Sequence, residues 1–95
     1  MQVIDFQNAL NKKEILNLLD VRTPSEFEDF NFGGINIPID DLFGKLNEIQ
    51  HLKTEVFIII CGTGLLSNIA VKVLKSRGFT LAENLEGGLE AYLSL

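Results

Sequence analysis

A chain of 95 residues, 46 % hydrophobic and 22 % charged, has the balance of a folded globular protein and not of a disordered one. Its net charge of −5 and pI near 4.7, with no cluster of Lys or Arg interleaved with aromatics, argue against nucleic acid as a partner. No apolar run approaches the ~20 residues of a membrane helix, and Met1-Gln2-Val3 is no basic signal-peptide start, so no membrane partner and a cytoplasmic location are expected.

No repeat or Ser/Pro-rich linker divides the chain, and so short a sequence cannot split its core, so residues 1–95 are predicted to form a single domain. Val3-Ile4 suggests a short first strand, with Asp5 as N-cap of a helix over Phe6 to Lys12. Ile15 to Val21 is mostly apolar and reads as a strand. Thr23 then caps a short helix, Pro24 fits its first position, and Glu26 completes a capping box. Gly33-Gly34 breaks the chain, Ile35 to Ile37 reads as a brief strand, and Asp40-Asp41 should cap a helix over Leu42 to Ile49.

Val56-Phe57-Ile58-Ile59-Ile60 is a continuous β-branched and aromatic run, which suits a central parallel strand covered on both faces. Leu66, Ile69, Ala70, Val73 and Leu74 then recur at helical spacing, and Lys72, Lys75 and Arg77 cluster toward the negative helix end. Gly78 should stop that helix. A last strand around Leu81 to Leu85 and a helix from Gly88 to Tyr92 complete the pattern. Strand and helix alternate, so the predicted class is α/β: a mainly parallel sheet of four to five strands flanked by helices on both faces.

Cys61 follows the most apolar strand and precedes a helix, which is where open α/β sheets place their ligands. A helix amino terminus leaves unpaired N–H groups and a partial positive charge, a setting that favours the thiolate. Gly62 and Gly64 are expected to turn the backbone with positive φ, so that several loop N–H groups converge on the sulfur. One cysteine and one histidine, His51, supply neither a disulfide nor a tetrahedral metal site, and no metal or cofactor is expected. His51 lies in a polar stretch and reads as a solvated surface residue.

Four segments carry a resemblance. Leu19-Asp20-Val21-Arg22-Thr23-Pro24-Ser25-Glu26-Phe27, Gly34-Ile35-Asn36-Ile37-Pro38, Val56 to Gly64, and Asn84-Leu85-Glu86-Gly87-Gly88-Leu89-Glu90-Ala91-Tyr92 resemble the rhodanese family in order and spacing, over nearly the whole chain. The resemblance implies a rhodanese-like fold with helices around a five-stranded sheet and an active-site loop of six residues, Cys61 to Leu66. It also implies ping-pong sulfur transfer. The Cys61 thiolate would take the outer sulfur of a donor such as thiosulfate or a low-molecular-weight persulfide and hand it to cyanide, a thiol or a protein. Backbone donors from Gly62, Thr63, Gly64, Leu65, Leu66 and Ser67 would hold the persulfide, and Asp20 and Arg22 would support the site structurally.

Three departures from the family pattern stand out. Val56 to Val71 contains no charged side chain, where many members carry loop cations. Thiosulfate is therefore expected to bind poorly, and Leu65 and Leu66 to favour a low-molecular-weight persulfide or a protein donor that docks on apolar surface. Asn31-Phe32-Gly33 and Tyr92 replace His-Ile-Pro and Trp and read as packing or turn variations. A cysteine phosphatase or arsenate reductase would need arginine where Ser67 stands, and a dinucleotide loop would need glycine there. A rhodanese-like docking or sulfide-sensing module without turnover is the alternative function.

Overall fold

The centre of the sheet is made by two buried apolar strands, Leu18–Asp20 (β1) and Phe57–Ile60 (β3), each covered along its whole length. In the computed structural model, which describes residues Met1–Leu95, they pair in parallel with Leu18 opposite Ile58 and Asp20 opposite Ile60. Ile35–Asn36 (β2) pairs outside β1, and Ala82–Asn84 (β4) pairs outside β3. The order β2-β1-β3-β4 gives four parallel strands.

Alternation of side chains sends residues of each central strand to opposite faces. Leu19, Val21, Phe57, Ile59 and Cys61 join one core with Leu42, Ile49, Leu52, Ala70, Leu74 and Phe79. Leu18, Ile58 and Ile60 join a second core with Phe6, Leu85 and Leu89. The first core is closed by the short helix Ile39–Leu42, the 3₁₀ segment Leu46–Thr54 and the helix Leu65–Ser76; the second is closed by helices Val3–Asn11 and Gly88–Leu93. In chain order the helices are α1 (Val3–Asn11), α2 (Pro24–Asp29), α3 (Ile39–Leu42), α4 (Leu65–Ser76) and α5 (Gly88–Leu93). Burying each β3 isoleucine contributes about 1.5–3 kcal/mol, more than any single cap or surface contact, so β3 fixes where Cys61 emerges.

Two local expectations fail. Val3-Ile4 is the first turn of α1, not a strand, and Gln2 rather than Asp5 is its N-cap. Phe6 and Ala9, one turn apart, are the residues α1 buries, and packing Phe6 against Phe32 and Tyr92 outweighs the β preference of two branched side chains. The helix expected over Leu42 to Ile49 is interrupted at Gly44, a poor helix former. There the backbone tightens into i→i+3 bonds, Gly44 N–H to Asp41 O at 3.1 Å and Lys45 N–H to Leu42 O at 3.0 Å. Asp40 and Asp41 lie inside the first turn of α3 and Pro38 precedes it.

The Thr23 capping box forms as the sequence requires, with Glu26 N–H donating to Thr23 Oγ1 at 3.2 Å and Thr23 N–H donating to Glu26 Oε1, also at 3.2 Å. Phe32 and Tyr92 meet edge to face, their centroids 4.9 Å apart. Both departures from the family pattern at these positions are therefore packing residues of the second core.

Candidate active site

Cys61 sits at the carboxyl end of β3, held there by the ladder bond from Val21 N–H to Ile60 O at 2.9 Å. Its side chain is buried, and Sγ accepts a hydrogen bond from Gly64 N–H at 3.0 Å. Ser67 Oγ lies 3.2 Å from the same sulfur, and Ser67 is fully buried. Gly64 is the N-cap of α4 at φ +84°, a conformation that costs a residue with Cβ about 1–3 kcal/mol. A Cβ there would also stand 2.8 Å from Gly87 N.

Gly62 behaves differently from the expectation. Its φ is not positive, and a Cβ at Gly62 would meet no atom within 4 Å. Of the loop amides expected around the sulfur, Gly64 N–H alone donates to it, while Leu65 N–H donates to Thr63 Oγ1 at 3.3 Å. The N–H groups of Gly62, Thr63, Leu66 and Ser67 have no acceptor within the protein, and of these four residues Ser67 alone is fully buried.

The loop is fixed from behind by the start of α5. Leu89 N–H donates to Cys61 O at 3.0 Å and Glu90 N–H donates to Gly62 O at 2.9 Å. Gly88, at φ +62°, allows this approach, since a Cβ there would lie 2.6 Å from both carbonyl oxygens. The sequence shows Gly87-Gly88 as a helix start; what it does not show is that this start clamps the cysteine loop. Asn84 was also missed: its Nδ2 donates to Gly64 O at 3.2 Å, and its Oδ1 accepts from the Ser67 hydroxyl.

Cys61, Gly62, Thr63 and Leu66 line one side of a cavity of about 270 Å³, and Val21, Arg22, Thr23, Glu26 and Ile39 line the other. Arg22 is held on its own side of it. Nη2 lies 2.8 Å from Asp20 Oδ2 and 2.6 Å from Phe30 O, Nε bonds Asp20 Oδ1 at 3.0 Å, and Nη1 donates to Glu26 O at 3.3 Å. Arg22 therefore ties β1 to the middle of α2 and to its C-cap Phe30, and it reaches the Glu26 carbonyl rather than the Glu26 carboxylate. Asp20 is buried and its Oδ1 also accepts from Arg22 N–H at 3.1 Å. The Thr23 backbone N–H and hydroxyl hold the exposed Glu26 carboxyl below the usual carboxylate range, and Arg22 adds to the effect.

The face of α4 differs from the predicted stripe. Ser67, Ala70, Val71 and Leu74 are buried, while Leu66 and Ile69 are 53 % and 60 % exposed. Turning Ser67 inward to Cys61 and Asn84 rotates the helix so that Leu65, Leu66 and Ile69 stand in solvent, with Leu66 at the wall of the cavity. His51 is exposed, as expected, and is not among the residues that line the Cys61 cavity. No helix is long and apolar enough to cross a membrane.

Residues 3–95 match the Rhodanese family, described as a rhodanese-like domain. The Bacillus subtilis protein YrkF, named as a candidate sulfur carrier, is 32 % identical over 85 residues, covering 88 % of this chain and 45 % of that protein. An adenylyltransferase and sulfurtransferase of Arabidopsis thaliana, MOCS3, is 35 % identical over 104 residues, covering 93 % of this chain and 22 % of that protein. The chain thus spans less than half the length of these two relatives. The crystal structure of a rhodanese-like domain protein from Staphylococcus aureus superposes with a TM-score of 0.83 at 29 % identity, over 97 % of this chain and 88 % of that one. With its sequence matched almost end to end and its parallel sheet shared with that structure, this chain belongs to the rhodanese-like domain family.

Proposed function

We propose that the protein is a sulfurtransferase that carries sulfane sulfur as a persulfide on Cys61. The observation that carries this reading is the placement of Cys61 among the residues lining a cavity, with Gly64 N–H on its Sγ at 3.0 Å and further loop amides free. Membership of a family whose relatives include sulfurtransferases by name supports it. The Cys61 thiolate attacks the outer sulfur of the donor, forming the new S–S bond while the donor's own S–S bond breaks. With thiosulfate the leaving group is sulfite and the enzyme holds Cys61-S-S⁻; with a persulfide R-S-SH it is R-S⁻ and the enzyme holds Cys61-S-SH. Attack by cyanide on the outer sulfur of Cys61-S-S⁻ then yields thiocyanate and restores the thiolate. The free amides of Gly62, Thr63 and Leu66, residues that line the cavity, are suited to hold the negative outer sulfur.

A persulfide donor fits this cavity better than thiosulfate does. The Arg22 charge is matched by Asp20 at 2.8 Å, and Glu26 adds a negative charge to the rim, so an entering dianion meets no surplus positive charge. Leu66 at the cavity wall, with the exposed Leu65 and Ile69 on the same helix, offers apolar surface to the rest of a larger donor or of a protein partner. The same exposed residues favour the second reading, a docking or sulfide-sensing module without turnover. The site uses no metal and no cofactor in either case, and an unpaired reactive thiol suits the reducing cytoplasm.

Single-turnover loading with thiosulfate and with glutathione persulfide, followed by cyanide, tests the proposal. Faster loading from the persulfide and stoichiometric thiocyanate are expected. Faster loading from thiosulfate contradicts the donor assignment, and a loaded protein that releases no sulfur to any acceptor supports the module instead.

A further inference from the structure

We infer that Asn84 is a positioning residue that, through the single hydroxyl proton of Ser67, biases Cys61 from its free thiolate toward its sulfur-loaded form. The inference deepens the sulfur-carriage reading and rests on it. Three adjacent groups, Cys61, Ser67 and Asn84, share their hydrogen bonds. Asn84 Nδ2 donates to Gly64 O at 3.2 Å, and because a carbonyl can only accept, this contact fixes which way the amide points. Asn84 Oδ1 then faces Ser67 Oγ, and Ser67 must donate to it.

Ser67 has one proton. With that proton directed at Asn84, the 3.2 Å contact to Cys61 can be satisfied only by an S–H that donates to Ser67 Oγ. The arrangement is that of a neutral thiol. When the thiol ionises, sulfur has nothing to donate, and the buried Ser67 hydroxyl turns its proton onto the anion. A charge-assisted bond is roughly twice as strong as a neutral one, so the turn is favourable, but Asn84 Oδ1 loses its donor.

Loading reverses this. Once Sγ is bonded to the outer sulfur it is uncharged, the negative charge resides on the outer atom, and the Ser67 proton returns to Asn84. Asn84 therefore opposes the free thiolate and does not oppose the persulfide. No charged group accepts this proton: β3, the loop and the first turn of α4 carry none, Asp20 is paired with Arg22, Glu26, Glu83 and Glu90 make no bond to Cys61, Ser67 or Asn84, and the Met1 ammonium, at 2.7 Å from the Asn84 backbone carbonyl, donates to that carbonyl and not to the side chain.

The test is the pH profile of Cys61 alkylation by iodoacetamide, which requires no sulfur donor. Asn84→Ala is expected to move the profile to lower pH by about 0.7 unit, the fivefold effect of one neutral hydrogen bond. Ser67→Ala, which removes the donor to the thiolate, is expected to move it to higher pH, and in the Ser67→Ala background Asn84→Ala should move it no further. A loosened loop would move both single variants the same way, and that result, or no shift in Asn84→Ala, overturns the proposal. Measured at a pH where alkylation has reached its upper plateau, so that the thiolate is the starting form, the sulfur-loading constant from glutathione persulfide should fall about fivefold in Asn84→Ala, by the same hydrogen bond. Asn84 side-chain amide resonances of the wild type should change over the pH range in which alkylation rises and stay still in Ser67→Ala; a wild-type signal that does not move overturns the proposal without any Asn84 variant. A Cys61 that accepts no sulfur defeats the carriage reading and the loading bias, while the alkylation shifts still decide the proton coupling.

Discussion

Replacing Gly88 by alanine would place a methyl group 2.6 Å from the carbonyl oxygens of both Cys61 and Gly62. Neither oxygen can yield easily, because each accepts a bond from α5, Leu89 N–H at 3.0 Å and Glu90 N–H at 2.9 Å. The left-handed backbone at φ +62° costs alanine about 1–3 kcal/mol, and relieving the overlap costs a further ~1–3 kcal/mol in displaced backbone. Restricting the unfolded chain returns about 0.4–1 kcal/mol. The net loss of about 3 kcal/mol should lower the melting temperature by about 10–25 °C in a chain of this size. Because the shift moves the loop itself, Cys61 alkylation should also change. Gly62→Ala is the control, since its Cβ meets nothing and its φ is not positive, and its melting temperature should stay near that of the wild type. A Gly88→Ala protein that melts and alkylates like the wild type would refute the clamp between α5 and the cysteine loop.

Removing Arg22 leaves the buried Asp20 carboxylate without its partner, so Arg22→Ala should cost about 3–5 kcal/mol, measured by denaturant unfolding. A loss below ~1 kcal/mol would show that Arg22 is not the structural tie described above. Glu26 has a folded pKa below its unfolded value, so its contribution to stability is present above about pH 4.5 and is lost as pH falls through the lowered value. Glu26→Gln should flatten the acid limb of the stability curve, and an unchanged limb would contradict the capping-box assignment. Leu65→Ser with Leu66→Ser alters exposed residues, so melting should change little, whereas loading from a bulky persulfide should slow relative to loading from thiosulfate. Equal effects on the two donors would remove the apolar docking role.

Features encoded by neighbours in sequence were legible without the fold. The Thr23–Glu26 capping box, the apolar β3 run and the cysteine between strand end and helix start each involve contacts within a few residues. The contacts that hold the site span much longer intervals. Gly88 needs its conformation because of Cys61 and Gly62, and Asn84 matters because of Gly64 and Ser67; neither demand leaves a local signature.

Periodicity also left α4 ambiguous. The stripe Leu66–Ile69–Ala70–Val73–Leu74 and the observed stripe Ser67–Ala70–Val71–Leu74 share two residues, and only the polar partners of Ser67 decide the rotation between them. Hydrophobicity alone prefers the leucine inside and the serine outside. The structure does the opposite because a buried hydroxyl with both a sulfur and an amide to meet is fully satisfied, whereas an exposed leucine costs only lost burial. At the amino end, Val3-Ile4 favoured a strand by residue type, and no local signal announced that Phe6 would draw the segment into a helix.

Every functional role proposed for the loop depends on Cys61 carrying sulfur. Intact mass after exposure to glutathione persulfide, followed by peptide mapping, measures this directly. One added sulfur on the wild type, mapped to Cys61 and absent from Cys61→Ser, is the predicted result; an unmodified wild-type protein, or a sulfur adduct that persists in Cys61→Ser, would contradict it.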